Sequence, residues 1–228
     1  MRHCIALLVL ALPAVPIYAT ESLDLAVRGW GLSLGNSRNT NGLRINLIDH
    51  DVERVTGVNL TLWKARRNPD ALIRGVGVGL IGPYARRLEG IALGGVYTIT
   101  EEDMNGIAFG GLGVDVGGNL NGIGAGIGGA IAVGDLKGIA VAGICSGARG
   151  DVTGIALIGA LVALGGAWAK GDAMGLVLAP GAAAAGSEAS GLVLGGIGAG
   201  VGQDLTGIVA GGVGPGSAAK PTASSSAG

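Results

Sequence analysis

A Gly followed by an aliphatic residue recurs along most of the chain, at Gly42, Gly57, Gly75, Gly90, Gly106, Gly122, Gly138, Gly154, Gly175, Gly191 and Gly207. Successive anchors lie 15, 18, 15, 16, 16, 16, 16, 21, 16 and 16 residues apart. A nearly fixed period of this kind marks an array of one small supersecondary unit. In the unit that starts at Gly106, Ile107 and Phe109 alternate with Ala108. Gly110-Gly111 then shifts the phase, and Leu112, Val114 and Val116 alternate with Gly113 and Asp115. Two stretches of period two joined by a glycine pair predict two short strands with a bend between them. The second Gly of the bend recurs at Gly95, Gly111, Gly143, Gly159, Gly196 and Gly212, where a positive φ or a close backbone approach calls for glycine. Asp103, Asp135, Asp151, Asp172 and Asp204 stand just before anchors and predict a second, polar corner.

A constant translation by 16 residues predicts an all-β fold, a parallel β-solenoid of about eleven coils stacked ~4.8 Å apart, roughly 50 Å long. The alternative is an antiparallel transmembrane β-barrel or meander, in which each unit supplies a strand long enough to cross an outer membrane. In the solenoid reading stacking supplies the core and small side chains suffice for a thin interior, with Ile107, Phe109 and Leu112 facing in and Ala108, Gly113, Ile131 and Val133 in outward positions. A water-facing sheet normally alternates to polar residues. Apolar outward positions therefore predict a face covered by a second protomer, a partner or lipid. Val152–Ala169 carries no charge and approaches the length of a membrane-spanning helix. Its first half keeps the 16-residue template, so sheet with a local insertion near Leu161–Asp172 is expected.

Composition sharpens this picture. The chain has 228 residues with 48 Gly and 7 Pro, 49% hydrophobic and 14% charged. Such hydrophobicity excludes a solvated disordered chain, and the lack of a strict three-residue glycine period excludes collagen. Met1-Arg2-His3, the apolar run Cys4–Ala14 and Ile17-Tyr18-Ala19 read as a signal peptide over 1–19 with cleavage after Ala19. The remainder divides into an N-terminal cap or lead-in at 20–40, the Gly-rich repeat domain at 41–214 and a disordered tail at 215–228 rich in Ser, Ala and Gly.

Candidate chemistry is sparse. Beyond residue 19 the only cysteine is Cys145 and the only histidine His50, so neither an internal disulfide nor a cysteine metal cluster is expected. Gly31-Leu32-Ser33-Leu34-Gly35 matches G-x-S-x-G, and Gly77–Gly82 matches G-x-G-x-x-G. Neither has the strand-turn-helix or βαβ context that the chemistry requires. Arg149-Gly150-Asp151 falls on an ordinary repeat corner. The corner acids supply one carboxylate per coil, too few at fixed offset for a calcium roll. No catalytic, cofactor or metal residues are assigned. Charge is unequal: residues 20–89 hold ten Lys or Arg against seven acids, while 90–228 hold four against nine. Lys64, Arg66, Arg67, Arg74, Arg86 and Arg87 are the candidate contacts for an anionic surface. The short cluster and few aromatic residues argue against nucleic acid.

Asn41–Ile48, then Val55–Trp63, followed by serial G-I-A-x-G-G-x-G-V units, resembles a family of exported bacterial surface-repeat proteins of uncharacterised function. The likeness covers about residues 41–214. It implies export and a β-repeat body at the cell envelope, and it brings no catalytic residues. The expectation is a non-enzymatic envelope protein of the periplasm, outer membrane or cell surface, structural or interacting. Its partner would be another protomer or an envelope component meeting the apolar Gly/Ala face, with a membrane as a further candidate. The alternative is a barrel or pore embedded in the outer membrane.

Overall fold

The structure, a computed structural model, describes residues 22–27, 30–63, 65–66, 68–158, 165–212, 215–217 and 225–227. The proposed signal peptide lies outside the described residues. Among those described there is no helix, and therefore none long and apolar enough to cross a membrane. The chain winds into a parallel β-solenoid with two sheets, one of fourteen strands and one of nine. In a regular coil a seven-residue strand such as Leu120–Gly126 belongs to the long sheet. After a two-residue bend, a four-residue strand such as Gly129–Ala132 belongs to the short sheet.

Each strand pairs in parallel with its counterpart one coil away, so Gly106, Gly122 and Gly138 stand in line, as do Ile107, Ile123 and Ile139. Only Leu23–Val27 departs: it folds back antiparallel on Trp30–Leu34 at one edge of the long sheet. The eleven anchored strands, from Gly42 to Gly207, make ten turns from first to last. This topology overturns the barrel reading. A transmembrane barrel closes antiparallel strands around a lumen, whereas these are two open parallel stacks facing one another across side chains.

Pairing also localises the irregular spacings. Ala142 pairs with Ile158, 16 residues on, but Cys145 pairs with Gly166, 21 residues on. The insertion thus falls between Ile158 and Gly166, and most of it lies outside the described residues. Val152–Ile158 and Gly166–Ala169 are strands, as the repeat template predicts. The stretch 215–228, expected as a tail, contributes Pro215–Ser217 and Ser225–Ala227, which add one strand to each sheet.

The anchor glycines have a common cause. All eleven have φ between 121° and 152°, in the half of conformational space that side chains with a Cβ rarely enter. A Cβ built on any of them would lie 2.0–2.3 Å from the carbonyl oxygen of the anchor, or of Gly31, one coil before. At the bend the constraint is space: a Cβ on Gly110 would fall 1.9 Å from the Gly113 oxygen, and one on Gly195 1.7 Å from that of Gly198. The coil is therefore a wedge. It is open where Leu88, Met104, Leu120 and Leu136 are fully buried and pinched where the two strands meet at the bend.

The pinch reverses one expectation. Ala108 is 0% exposed, while Ile107 and Phe109 are each 45% exposed. Past the anchor the long strand turns its small residues inward, and Ala92, Ala108, Ala140 and Ala156 form the buried column. Leu112, expected inside, is exposed as well. The second half of the unit follows expectation: Val114 and Val116 are buried, Ile131 is half-buried on the outside and Val133 is exposed. In the middle coils the sheets come so close that Ala and Gly fill this column and larger side chains stand on the outer surface, while Val177, Val193 and Val209 fill it in the last three coils.

Candidate functional site

Turning the large residues outward builds a surface. One position after each anchor stands an aliphatic side chain, in unbroken register from Leu43 through Val58, Val76, Ile91, Ile107 and Ile123 to Ile208. Three positions after the anchor a second ladder runs from Ile45 through Leu60, Val78, Leu93 and Phe109 to Ala210. Neither ladder contains a polar or charged residue at any of its eleven rungs. Soluble monomers rarely expose contiguous apolar patches above a few hundred Å².

Two columns frame the ladders. On one side, just before the anchors, lie polar residues that pair along the stack: Arg74 with Glu89 at 2.8 Å, and Asn121 Nδ2 donating to Asn105 Oδ1 at 2.8 Å. On the other side, five positions after the anchor, Leu47, Leu62 and Leu80 rise as a ridge of exposed leucines. From Gly95 onward that column drops to glycine, apart from Ile127 and Pro180. The step leaves a concavity lined by Leu60, Leu62, Val78, Leu80, Leu93 and Phe109, among others.

The predicted basic contacts are placed in part. Lys64 and Arg67 lie outside the described residues. Arg66 is exposed, and its backbone N–H donates to the Asp49 carbonyl at 2.7 Å. Arg74, Arg86 and Arg87 each face an acid of the following coil: Arg74 Glu89, Arg86 Glu102 at 3.7 Å, and Arg87 both Glu102 at 3.5 Å and Asp103 at 3.2 Å. Their charge is thus spent largely on holding neighbouring coils together.

The corner acids form a ladder of their own. The Asp103 carboxylate accepts the Asn119 N–H at 2.9 Å, and Asn119 Oδ1 accepts that of Asp135 at 2.8 Å. Asp135 then accepts from Asp151 at 3.0 Å, and Asp151 from Asp172 at 2.8 Å. The glycines before Asp135, Asp151 and Asp172 make way for the side-chain oxygen of the preceding corner, since a Cβ on Gly134, Gly150 or Gly171 would sit 2.4, 2.2 or 2.1 Å from Oδ1 of Asn119, Asp135 or Asp151. The Arg-Gly-Asp string is this joint, with both Gly150 and Asp151 used structurally. Among the described residues no three His, Cys, Asp or Glu side chains are grouped to hold a metal ion.

The residues of the two glycine motifs, the lone histidine and the lone cysteine are dispersed. The Ser33 hydroxyl is buried without a partner inside the first coils. His50 Nδ1 lies 2.6 Å from Asn36 Nδ2 and 3.3 Å from Asp51 Oδ2. Gly77 and Gly79 are interior strand residues, and no helix N-terminus follows Gly82. Cys145 begins a short-sheet strand, and partial burial raises its thiol pKa.

One feature went unread in the sequence: a polar interior in the first coils. Arg44 and Asp49 are fully buried as an ion pair. Arg44 also donates to Asn59 Oδ1 and Asn36 Oδ1, both at 2.8 Å. Asp49 accepts from Asn46 at 3.2 Å, Asn59 at 2.8 Å and Thr61 at 3.2 Å. Register was the available signal, because Arg44 and Asn59 occupy the column that carries Ala92 and Ala108 further on. No protein-family model, no curated protein and no solved structure matches this chain.

Proposed function

We propose that the protein is an exported, non-enzymatic component of a bacterial cell envelope, in which the rigid solenoid presents an interaction surface. The observation that carries this reading is the pair of uninterrupted apolar ladders on the outer face of the long sheet, in register over eleven coils. A rod that orders so much apolar surface on one side is built for lateral contact. The apolar run and Ile17-Tyr18-Ala19 at the N-terminus, and the resemblance to exported surface-repeat proteins, support placement in the periplasm, outer membrane or cell surface. Burial of Ser33 and the local pairing of His50 favour a non-catalytic role. The ion pairs of Arg74, Arg86 and Arg87 leave the exposed Arg66 as the stronger of the described candidates for an anionic envelope component.

Expression of the full chain with a C-terminal epitope in a Gram-negative host, followed by fractionation and N-terminal sequencing, tests the proposal. The expected product begins at Thr20 and is found in the envelope or periplasmic fraction. A chain that retains its first residues and stays in the cytosol contradicts it.

A further inference from the structure

We infer that the apolar face of the long sheet is the interface of a homodimer in which two copies pack face to face with their solenoid axes antiparallel. The inference rests on reading that face as a contact surface and names a second copy of this chain as what covers it. Ten turns at ~4.8 Å and six residue steps at ~3.3 Å give a face of about 48 by 20 Å, roughly 950 Å². A standard stable interface takes about 800 Å² from each partner.

Relief along the face selects the orientation. A twofold axis parallel to the strands at the central coil, that of Gly122, sets the first coil against the eleventh, the second against the tenth and so on. Each column then meets its own counterpart in reverse. The ridge residues Leu47 and Leu62 fall opposite Gly212 and Gly196, so tall positions meet low ones at both ends of the face, while Leu80 meets Pro180 and Ile127 meets its own copy on the axis. Ile45 falls opposite Ala210 in the same way. In the polar column Asn121 meets its own copy and Arg74 meets Met174, so no like charges oppose. With axes parallel instead, the polar column would lie over the ridge column, setting the Arg74–Glu89 pair against the Leu80 side. A lipid surface is the weaker occupant, because the cations flanking the ladders, Arg74 and Lys137, are already paired with Glu89 and Asp135.

Light scattering on the full processed chain at tens of micromolar is expected to give twice the mass of one chain. Leu93→Glu, on the exposed ladder, is expected to halve that mass while leaving the circular dichroism spectrum unchanged. In a processed chain with Cys145 changed to Ser, Ala125→Cys near the axis is expected to form an intermolecular disulfide, and Leu43→Cys at the end of the face to form none. Leu60→Cys mixed with Leu194→Cys is expected to give the heterodimer. A monomer, whether or not it binds phosphatidylcholine vesicles, overturns the dimer and leaves the envelope placement standing. A dimer in which Leu43→Cys cross-links and Ala125→Cys does not overturns the antiparallel arrangement.

Discussion

The first two coils and those from Gly75 onward share one backbone repeat yet fill it with opposite chemistry. In the early coils the interior holds Arg44, Asn46, Asp49, Asn59, Thr61 and Asn68, tied into one network around the Asp49 carboxylate. The Asp49 carbonyl adds bonds from the Arg66 N–H at 2.7 Å and Asn68 Nδ2 at 3.4 Å. The later coils place Ala, Gly and Val in the equivalent space. The difference follows the second sheet, whose first strand is Tyr84–Ala85. Before it, the non-strand segments 47–53 and, among the described residues, 62–63, 65–66 and 68–71 close the coil. Loops leave backbone groups that a facing strand would have satisfied, and buried polar side chains supply the missing partners. A thin solenoid can be closed either by a second strand over alanine or by a loop over a bonded polar network.

The widest separation between the two regions is expected on removing the centre of the network. Asp49→Ala strands the buried Arg44 guanidinium and is expected to cost about 3–5 kcal/mol in urea-induced unfolding. A loss below about 1 kcal/mol would show that water already reaches the early interior. Next come the anchors, which should not distinguish the regions at all. Gly57→Ala and Gly122→Ala both force a side chain into positive φ against a carbonyl, and each is expected to cost about 2–3 kcal/mol. Unequal losses would mean that the two halves do not share one coil geometry.

Smaller effects sharpen the later coils. Ala108→Leu overfills the pinched interior and is expected to lower stability by about 1–3 kcal/mol. Ile123→Thr, on the outer ladder, is expected to change it by no more than about 0.5 kcal/mol when measured on the monomeric Leu93→Glu background. Unfolding monitored by circular dichroism reads both, and a reversed order would return the large side chains to the interior.

Much of the architecture was legible in the sequence because a solenoid writes its geometry as a period. The anchor glycines, the bend at Gly110-Gly111 and the polar corner at Asp135 and Asp151 each answer a backbone requirement that repeats in every coil. Which face of the strand is buried was not legible from alternation. Ile107 and Phe109 against Ala108 fits either assignment, and the usual preference for burying the larger side chain points the wrong way. The deciding quantity is the distance between the sheets, set by the Gly110 and Gly113 approach that no local pattern reports. The candidate surface was legible only as an excess of outward apolar residues; its unbroken ladders and the step at Leu80 and Gly95 needed the register. The Arg44 network stayed hidden because Leu43-Arg44-Ile45-Asn46-Leu47 reads as an ordinary amphipathic strand with its polar side in water.

The central claim, small residues inside and aliphatic ladders outside, is tested most directly by methyl and aromatic nuclear Overhauser contacts across the coil. A Cβ placed on Gly124 would lie 3.8 Å from both Ala130 Cβ and Val114 Cγ1, which identifies what the inward column faces. The account predicts a strong cross-peak between the Ala108 methyl and the Val114 methyls, and none between Val114 and the Phe109 ring. Cross-peaks from Phe109 to Val114, with Ala108 showing no contact to the short sheet, would contradict it.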